Sequence, residues 1–199
     1  MELFAKYFQK CIVFFNSIRF LSNKNVIGGT GARFRGLVSI SISSYGKLIL
    51  ANNVTIVGGL MINPLGRNIR SMIKIDGNAI IEIGNNVGMS NVSLWAKSRI
   101  SIGNNVKIGA DCLIFDSDMH SLDFVLRRDI KTDGVNAKSL PIVICDDVFV
   151  GARCIIMKGV TIGERAIIAS GSVVSKSIPP DEIWGGNPAS YIKSHTPIK

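Results

Sequence analysis

The sequence predicts an all-β fold, a parallel β-helix, on three observations. β-Branched aliphatics recur every six residues, at Ile144, Val150, Ile156, Ile162, Ile168 and Val174. Apolar or small residues stand two before each of them, at Ile142, Val148, Cys154, Val160, Ala166 and Ser172. The composition is 47% hydrophobic but only 7% aromatic, so Ile and Val, which favour strands, carry the apolar content. A period of six falls out of phase with a 3.6-residue helical face. It suits a short strand closed by a tight turn. Gly and Asn, as in Asn85-Asn86 and Asn104-Asn105, supply turn dihedrals at low cost. Stacked coils then bury one column of Ile and Val, with backbone hydrogen bonds running from coil to coil. The period alone gives neither the hand of the helix nor three strands per turn.

The elements follow in chain order. The 199 residues make one domain the default. In "MELFAKYFQKCIVFFNSIRFL", Leu3, Phe4, Tyr7, Phe8, Cys11, Phe14, Phe15, Ile18 and Leu21 keep helical spacing. This predicts an N-terminal amphipathic α-helix over 1–24. Its charges, Glu2, Lys6, Lys10 and Arg19, and the lack of a small-residue cleavage site argue against a membrane span or a signal peptide. Two readings stand for it. It packs on its own domain or a neighbouring subunit, or it lies on a membrane through residues 1–21 with Lys and Arg toward the headgroups. The β-helix proper is expected over 25–193. Its register is loose around Leu48 to Ile62 and Ile75 to Met89, and clean at Ile102, Ile108 and Ile114. Residues 194–199 form a short polar tail.

Bulk charge and cysteines narrow the partners. A net charge of +9 points to an anionic partner: nucleic acid, phospholipid or a phosphorylated cofactor. No basic run is interleaved with aromatics, which argues against nucleic acid. Cys11, Cys112, Cys145 and Cys154 make no CxxC pair, so they read as reduced thiols of a cytoplasmic protein and not as a metal knuckle. Cys112 and Cys154 hold apolar positions of the repeat and read as core.

The repeat breaks at "IFDSDMHSLDF", residues 114–124. The next inward position in strict register is His120, with Asp118 two before it. Polar groups at a buried corner are costly, so the chain is expected to leave the coil there. The repeat resumes only at Ile142, which predicts an excursion loop of about 117–141, long enough to suspect function. His120 is the single histidine of the repeat region, since His195 lies in the tail. From the pattern alone, a solvent loop that happens to begin with a histidine fits equally well.

"IGNNVKIGADCLI" and "VFVGARCIIMKGVTIGERAIIASGSVVSKSIPPDEIWGGNPASYIK" resemble the hexapeptide-repeat acyltransferases, over roughly 75–193. Within that family the likeness is to the maltose, galactoside and polysaccharide O-acetyltransferases, and "VSKSIPP" and "GGNPA" are its most specific phrases. The resemblance implies left-handed, three-sided coils, against the usual right-handed crossover. It also implies a homotrimer with active sites between subunits, acetyl-CoA as acetyl donor, and a sugar or cell-envelope polysaccharide precursor as acceptor. It implies His120 as the catalytic base, one residue later than the family's usual place. By the same resemblance Ser90, in "GMSNVSLW", is a substrate-binding candidate; the carboxylates of Asp116, Asp118 and Asp123 beside the histidine are further candidates for sugar hydroxyls. Either Asp116 or Asp118 would orient the imidazole through its second nitrogen, or a backbone carbonyl would. Gly151 and Ala152 would line the coenzyme groove with Ser170 further along it. Ser175 and Lys176 would reach the adenosine end and Lys193 the phosphates, which would account for part of the +9. Trp184 would flank adenine or pack beneath the C-terminal segment. No metal is expected.

The chemistry suits one histidine. A neutral imidazole, pKa near ~6.5, takes the proton of an attacking hydroxyl and returns it to the departing thiolate. The developing oxyanion needs hydrogen-bond donors. Two alternatives remain beside this reading. One is an N-acetyltransferase of an amino sugar or sugar nucleotide, although the βαβ unit that opens many of those enzymes is missing here. The other is a non-catalytic, membrane-docked scaffold, which the presence of His120 and Lys176 disfavours. A carbonic anhydrase on this scaffold would need three histidine ligands.

Overall fold

The protein is described from a computed structural model covering residues 16, 18–59, 63–67 and 69–195. Most of the helix expected over 1–24 lies outside the described residues; within them, residues 18–21 are helical. The strands wind as six three-strand coils. Coil one is β1 (Val26–Gly28), β2 (Arg33–Gly36) and β3 (Val38–Ile42), and coil two is β4 (Lys47–Leu50), β5 (Thr55–Gly58) and β6 (Ser71–Ile75). Coil three is β7 (Ile80–Ile83), β8 (Gly88–Ser90) and β9 (Ser93–Ala96), and coil four is β10 (Arg99–Ile102), β11 (Lys107–Ile108) and β12 (Leu113–Phe115). Coil five is β13 (Ile142–Ile144), β14 (Phe149–Val150) and β15 (Ile155–Ile156), and coil six is β16 (Thr161–Ile162), β17 (Ile167–Ile168) and β18 (Val173–Val174). An antiparallel pair, β19 (Glu182–Gly186) and β20 (Ala189–Ser194), closes the C-terminal end.

Corresponding strands of successive coils stack in parallel into three faces, β1-β4-β7-β10-β13-β16, then β2-β5-β8-β11-β14-β17, then β3-β6-β9-β12-β15-β18. β19 extends the second face. The six-residue period dictates the stack. Ile102 pairs with Ile144, Ile108 with Val150, and Ile114 with Ile156, and all six are buried. Each such side chain contributes roughly 1.5–3 kcal/mol by leaving water. Phe20 packs edge-on against Phe34, 5.2 Å between centroids, at the N-terminal end of the column. Trp184 packs on the column's other end, and its indole N–H donates to Glu182 at 2.6 Å, the packing alternative of the two readings for that residue.

The prism has three edges, numbered here by the faces they follow. At the first edge Asn53, Asn86, Asn105, Asp147, Arg165 and Asp181 all take φ between 58° and 61°. Asn and Asp are the side-chain-bearing residues that tolerate this region best. Their neighbours form a ladder. The Asn85 N–H donates to Asn104 Oδ1 at 2.9 Å, and the Asn104 N–H donates to Asp146 Oδ1 at 2.8 Å. The Asn104 side-chain amide, and then its backbone N–H, hold the Asp146 carboxyl below the usual carboxylate range. A depressed pKa contributes stability that is present above the unfolded value, ~3.9, and lost as pH falls through the folded one. Wild type should therefore have a higher Tm than Asp146→Asn at pH 7, and the gap should close as the pH is taken from about 5 to about 2. Thermal melts across that range read it. A gap that persists at the acid end would show that the carboxylate does not stabilise through its charge.

Candidate functional site

The chain leaves the coil at the third edge, directly after β12. Asp116 lies fully buried there, and its two carboxylate oxygens accept the N–H groups of Lys97 and Ser98, each at 2.7 Å, from the coil before. Burial pushes this carboxyl above its usual range, against the pull of those amides. The excursion is closed at its neck by a Ser117–Ser139 bridge and by the Leu140 N–H, which donates to Asp116 O at 2.9 Å. Between these ends run short helical turns, of which α1 (Ile130–Asp133) is capped by Asp129 accepting the Lys131 N–H.

α1 ends on the residue that matters. Asp133 Oδ2 lies 2.6 Å from His120 Nδ1, and Asp133 Oδ1 accepts the Ser121 N–H at 2.8 Å. An ionised carboxylate only accepts, so in the neutral imidazole the proton sits on Nδ1 and the lone pair on Nε2. The His120 hydrogen bond, with the Ser121 amide second, holds the Asp133 carboxyl below its usual range. The His120 side chain is 68% exposed.

The imidazole's carboxylate partner is thus Asp133, thirteen residues downstream, and neither Asp116 nor Asp118. Both of those are engaged elsewhere. Asp116 has no surface open to a sugar. Asp118 pairs with Lys158 Nζ at 2.7 Å, with its side chain 14% exposed. Asp123 accepts the Val125 N–H at 2.7 Å as the cap of a local turn. Ser90 ends β8, half-buried, on the second edge of coil three. Within one chain, Ser90 and His120 therefore occupy different edges.

The residues assigned to the coenzyme also divide. Gly151, Ala152 and Ser170 stand on the second edge in coils five and six, where Ser170 Oγ accepts the Ala152 N–H at 3.2 Å. A Cβ on Gly151 would lie 2.6 Å from Ser170 N and 2.8 Å from Ile168 O, so the stacking of coil six itself demands glycine there. Ser175 and Lys176 follow β18 on the third edge, both exposed, below the excursion. Lys193, exposed, pairs with Ile183 in the β19–β20 ladder. In coils four to six the face between the second and third edges is apolar outside as well as inside. Leu113, Phe115, Ile155, Met157 and Val173 point outward there, all half-buried.

The chain carries the signature of a described family. The family model "Bacterial transferase hexapeptide (six repeats)" matches residues 141–176. A hexapeptide-repeat acetyltransferase from Vibrio cholerae O1 biovar eltor, solved with acetyl coenzyme A, is 34% identical; the match covers 64% of this chain and 69% of that one, with a TM-score of 0.53. This chain belongs to the hexapeptide-repeat acetyltransferases. Its coils take the left-handed turn of that family. A putative acetyltransferase from Schizosaccharomyces pombe is 42% identical over 47% of this chain and 42% of its own length. A 2,3,4,5-tetrahydropyridine-2,6-dicarboxylate N-acetyltransferase from Staphylococcus aureus is 37% identical over 30% of this chain and 25% of its own. The chain thus spans less than half the length of these curated relatives.

Two features of the family member were missed in its sequence. Asp133 is one. The other is a second interruption of the coil, between β5 and β6, whose described residues include 63–67. Arg67 reaches from it to Asp111 in coil four, with Nε donating at 2.8 Å and the backbone N–H at 3.0 Å. The Gly58-Gly59 pair, Pro64 and Gly66 in "GGLMINPLGRNIR" were the available signal for this interruption. Chemically, the third edge presents a largely exposed imidazole whose Nδ1 is held by a carboxylate.

Proposed function

We propose that this chain is an acetyl-CoA-dependent O-acetyltransferase acting on a sugar hydroxyl, of a free sugar or a cell-envelope polysaccharide precursor. The observation that carries the reading is the largely exposed, Asp133-held imidazole of His120 on the coils of this family. His120 Nε2 takes the proton of the acceptor hydroxyl as its oxygen bonds to the acetyl carbonyl carbon. The C–S bond then breaks, and His120 hands the proton to the departing thiolate, so the products are an acetyl ester and a thiol. Asp133 holds the proton-bearing nitrogen in place throughout and stabilises the imidazolium between the two transfers. Acetyl-CoA supplies the acetyl group as a thioester. The chain's residues fit such a donor: Lys176 is exposed and makes no ion pair with another described residue, Ser175 adjoins it, and the apolar third face offers a wall for an alkyl arm.

The split of the residues between two edges favours a homotrimer. The excursion exposes Leu122, Phe124, Val125, Ile130 and Val135, all more than half accessible. Exposed apolar side chains in such number favour an interface. A cyclic assembly sets the third edge of one chain against the second edge of the next. His120 then faces Ser90, Gly151, Ala152 and Ser170 of a neighbour, and a between-subunit site follows. An N-acetyltransferase is the second reading, favoured by the Staphylococcus aureus match.

Calorimetric titration with coenzyme A, beside turnover on a panel of sugars and amino sugars, tests the reading. Lys176→Ala should weaken coenzyme A by about 10–100-fold, the usual range for one charge-assisted contact, with a smaller effect on kcat at saturation. Unchanged affinity would remove Lys176 from the coenzyme site.

A further inference from the structure

The net positive charge of this protein lies in its first 75 residues. Residues 3–75 contain ten Lys and Arg and no Asp or Glu. Residues 76–199 contain thirteen of each, so the half that bears the coenzyme candidates is neutral. The +9 therefore does not arise from residues placed to meet a coenzyme.

In the fold, the described residues of this stretch supply the N-terminal end of the prism. Arg33 and Arg35 project from the outer side of β2, Lys47 opens β4, and Arg19 and Lys24 flank the end-capping Phe20; all five are exposed. None of the five makes an ion pair with another described residue. Large apolar side chains alternate with them around the same rim. Ile18, Ile27, Leu37 and Tyr45 are 50%, 48%, 51% and 81% exposed. Val38, Ile40 and Ile42 of β3 point toward the core yet stay half-exposed, while Ile73 and Ile75, the partners of Ile40 and Ile42, are buried. The residues preceding this end add Lys6, Lys10 and five aromatics by sequence.

We propose that the N-terminal coil is a docking surface for an anionic lipid bilayer, met end-on, with the prism axis standing away from the membrane. A purely electrostatic partner such as a soluble acidic glycan explains the cations but leaves the apolar rim in water. A lipid headgroup layer answers both: Arg and Lys meet phosphates while Ile, Leu and Tyr enter the acyl boundary. No helix among the described residues is long and apolar enough to cross a membrane. Coils rise by ~4.8 Å each, so the excursion that carries His120 stands about 15–20 Å from the docked plane.

The test is co-sedimentation of the full chain with phosphatidylcholine vesicles, plain or doped with phosphatidylglycerol. Wild type should partition to the doped vesicles, hardly to the plain ones, and more weakly as NaCl rises from about 0.05 to about 0.5 M. Arg33→Gln with Arg35→Gln should lower partitioning about fivefold per charge, about 30-fold for the pair. Lys131→Gln with Lys138→Gln, exposed on the excursion, should leave it unchanged. The Arg33 and Arg35 side chains are exposed, so the double variant should keep the wild-type Tm, which separates lost docking from lost folding. Equal binding to both vesicle types, a double variant that binds like wild type, or a wild type that captures soluble polygalacturonate but no vesicles would each overturn the proposal.

Discussion

His120→Ala should lower kcat by about 10²–10⁴-fold, the contribution typical of a general base, and leave coenzyme A affinity unchanged. The side chain makes one polar contact, to Asp133, and is mostly exposed, so its loss opens no cavity. Tm should hold. Asp133→Asn is the sharper companion. Asp133 Oδ1 already accepts the Ser121 N–H, so an asparagine oxygen is claimed by that amide and its NH2 group faces His120 Nδ1. The imidazole proton is then driven to Nε2, where the lone pair is needed. Activity should fall nearly as far as in His120→Ala while shape, Tm and coenzyme affinity persist. Full activity in Asp133→Asn would show that the carboxylate does not set the tautomer.

Asp116→Ala should destabilise the fold by about 2–5 kcal/mol. The Lys97 and Ser98 amides would lose their acceptor at the point where coil four gives way to the excursion. Each unsatisfied buried N–H costs about 1–3 kcal/mol. Urea unfolding reads the loss directly. Any fall in kcat should follow the folded fraction, because Asp116 touches no solvent-open surface. A variant with wild-type stability and no turnover would restore Asp116 to the substrate site.

The coils were legible because stacking repeats one local decision. Every inward Ile or Val meets the same position of the next coil, and the first-edge turns reuse one conformation, mostly with Asn or Asp. His120 was legible because it breaks that monotony. The roles of its neighbours were not. A buried carboxylate such as Asp116 looks in sequence like an exposed one, and the amides that hold it lie 18 and 19 residues back on another coil. Asp133 was hidden for a related reason: its reach to His120 depends on the path of a non-repeating loop, which no period describes. Gly151 shows the converse. It matches a coenzyme position by resemblance, while the Ser170 amide beside it demands a glycine on packing grounds.

The central claim is transfer of an acetyl group to a sugar hydroxyl. The most direct measurement is the alkali lability of the product formed from radiolabelled acetyl-CoA and a mixed panel of sugars and amino sugars. Label should be transferred to sugar as an ester, released by mild base, and absent with His120→Ala. Label held in an alkali-stable amide, or transfer that continues without His120, would contradict it.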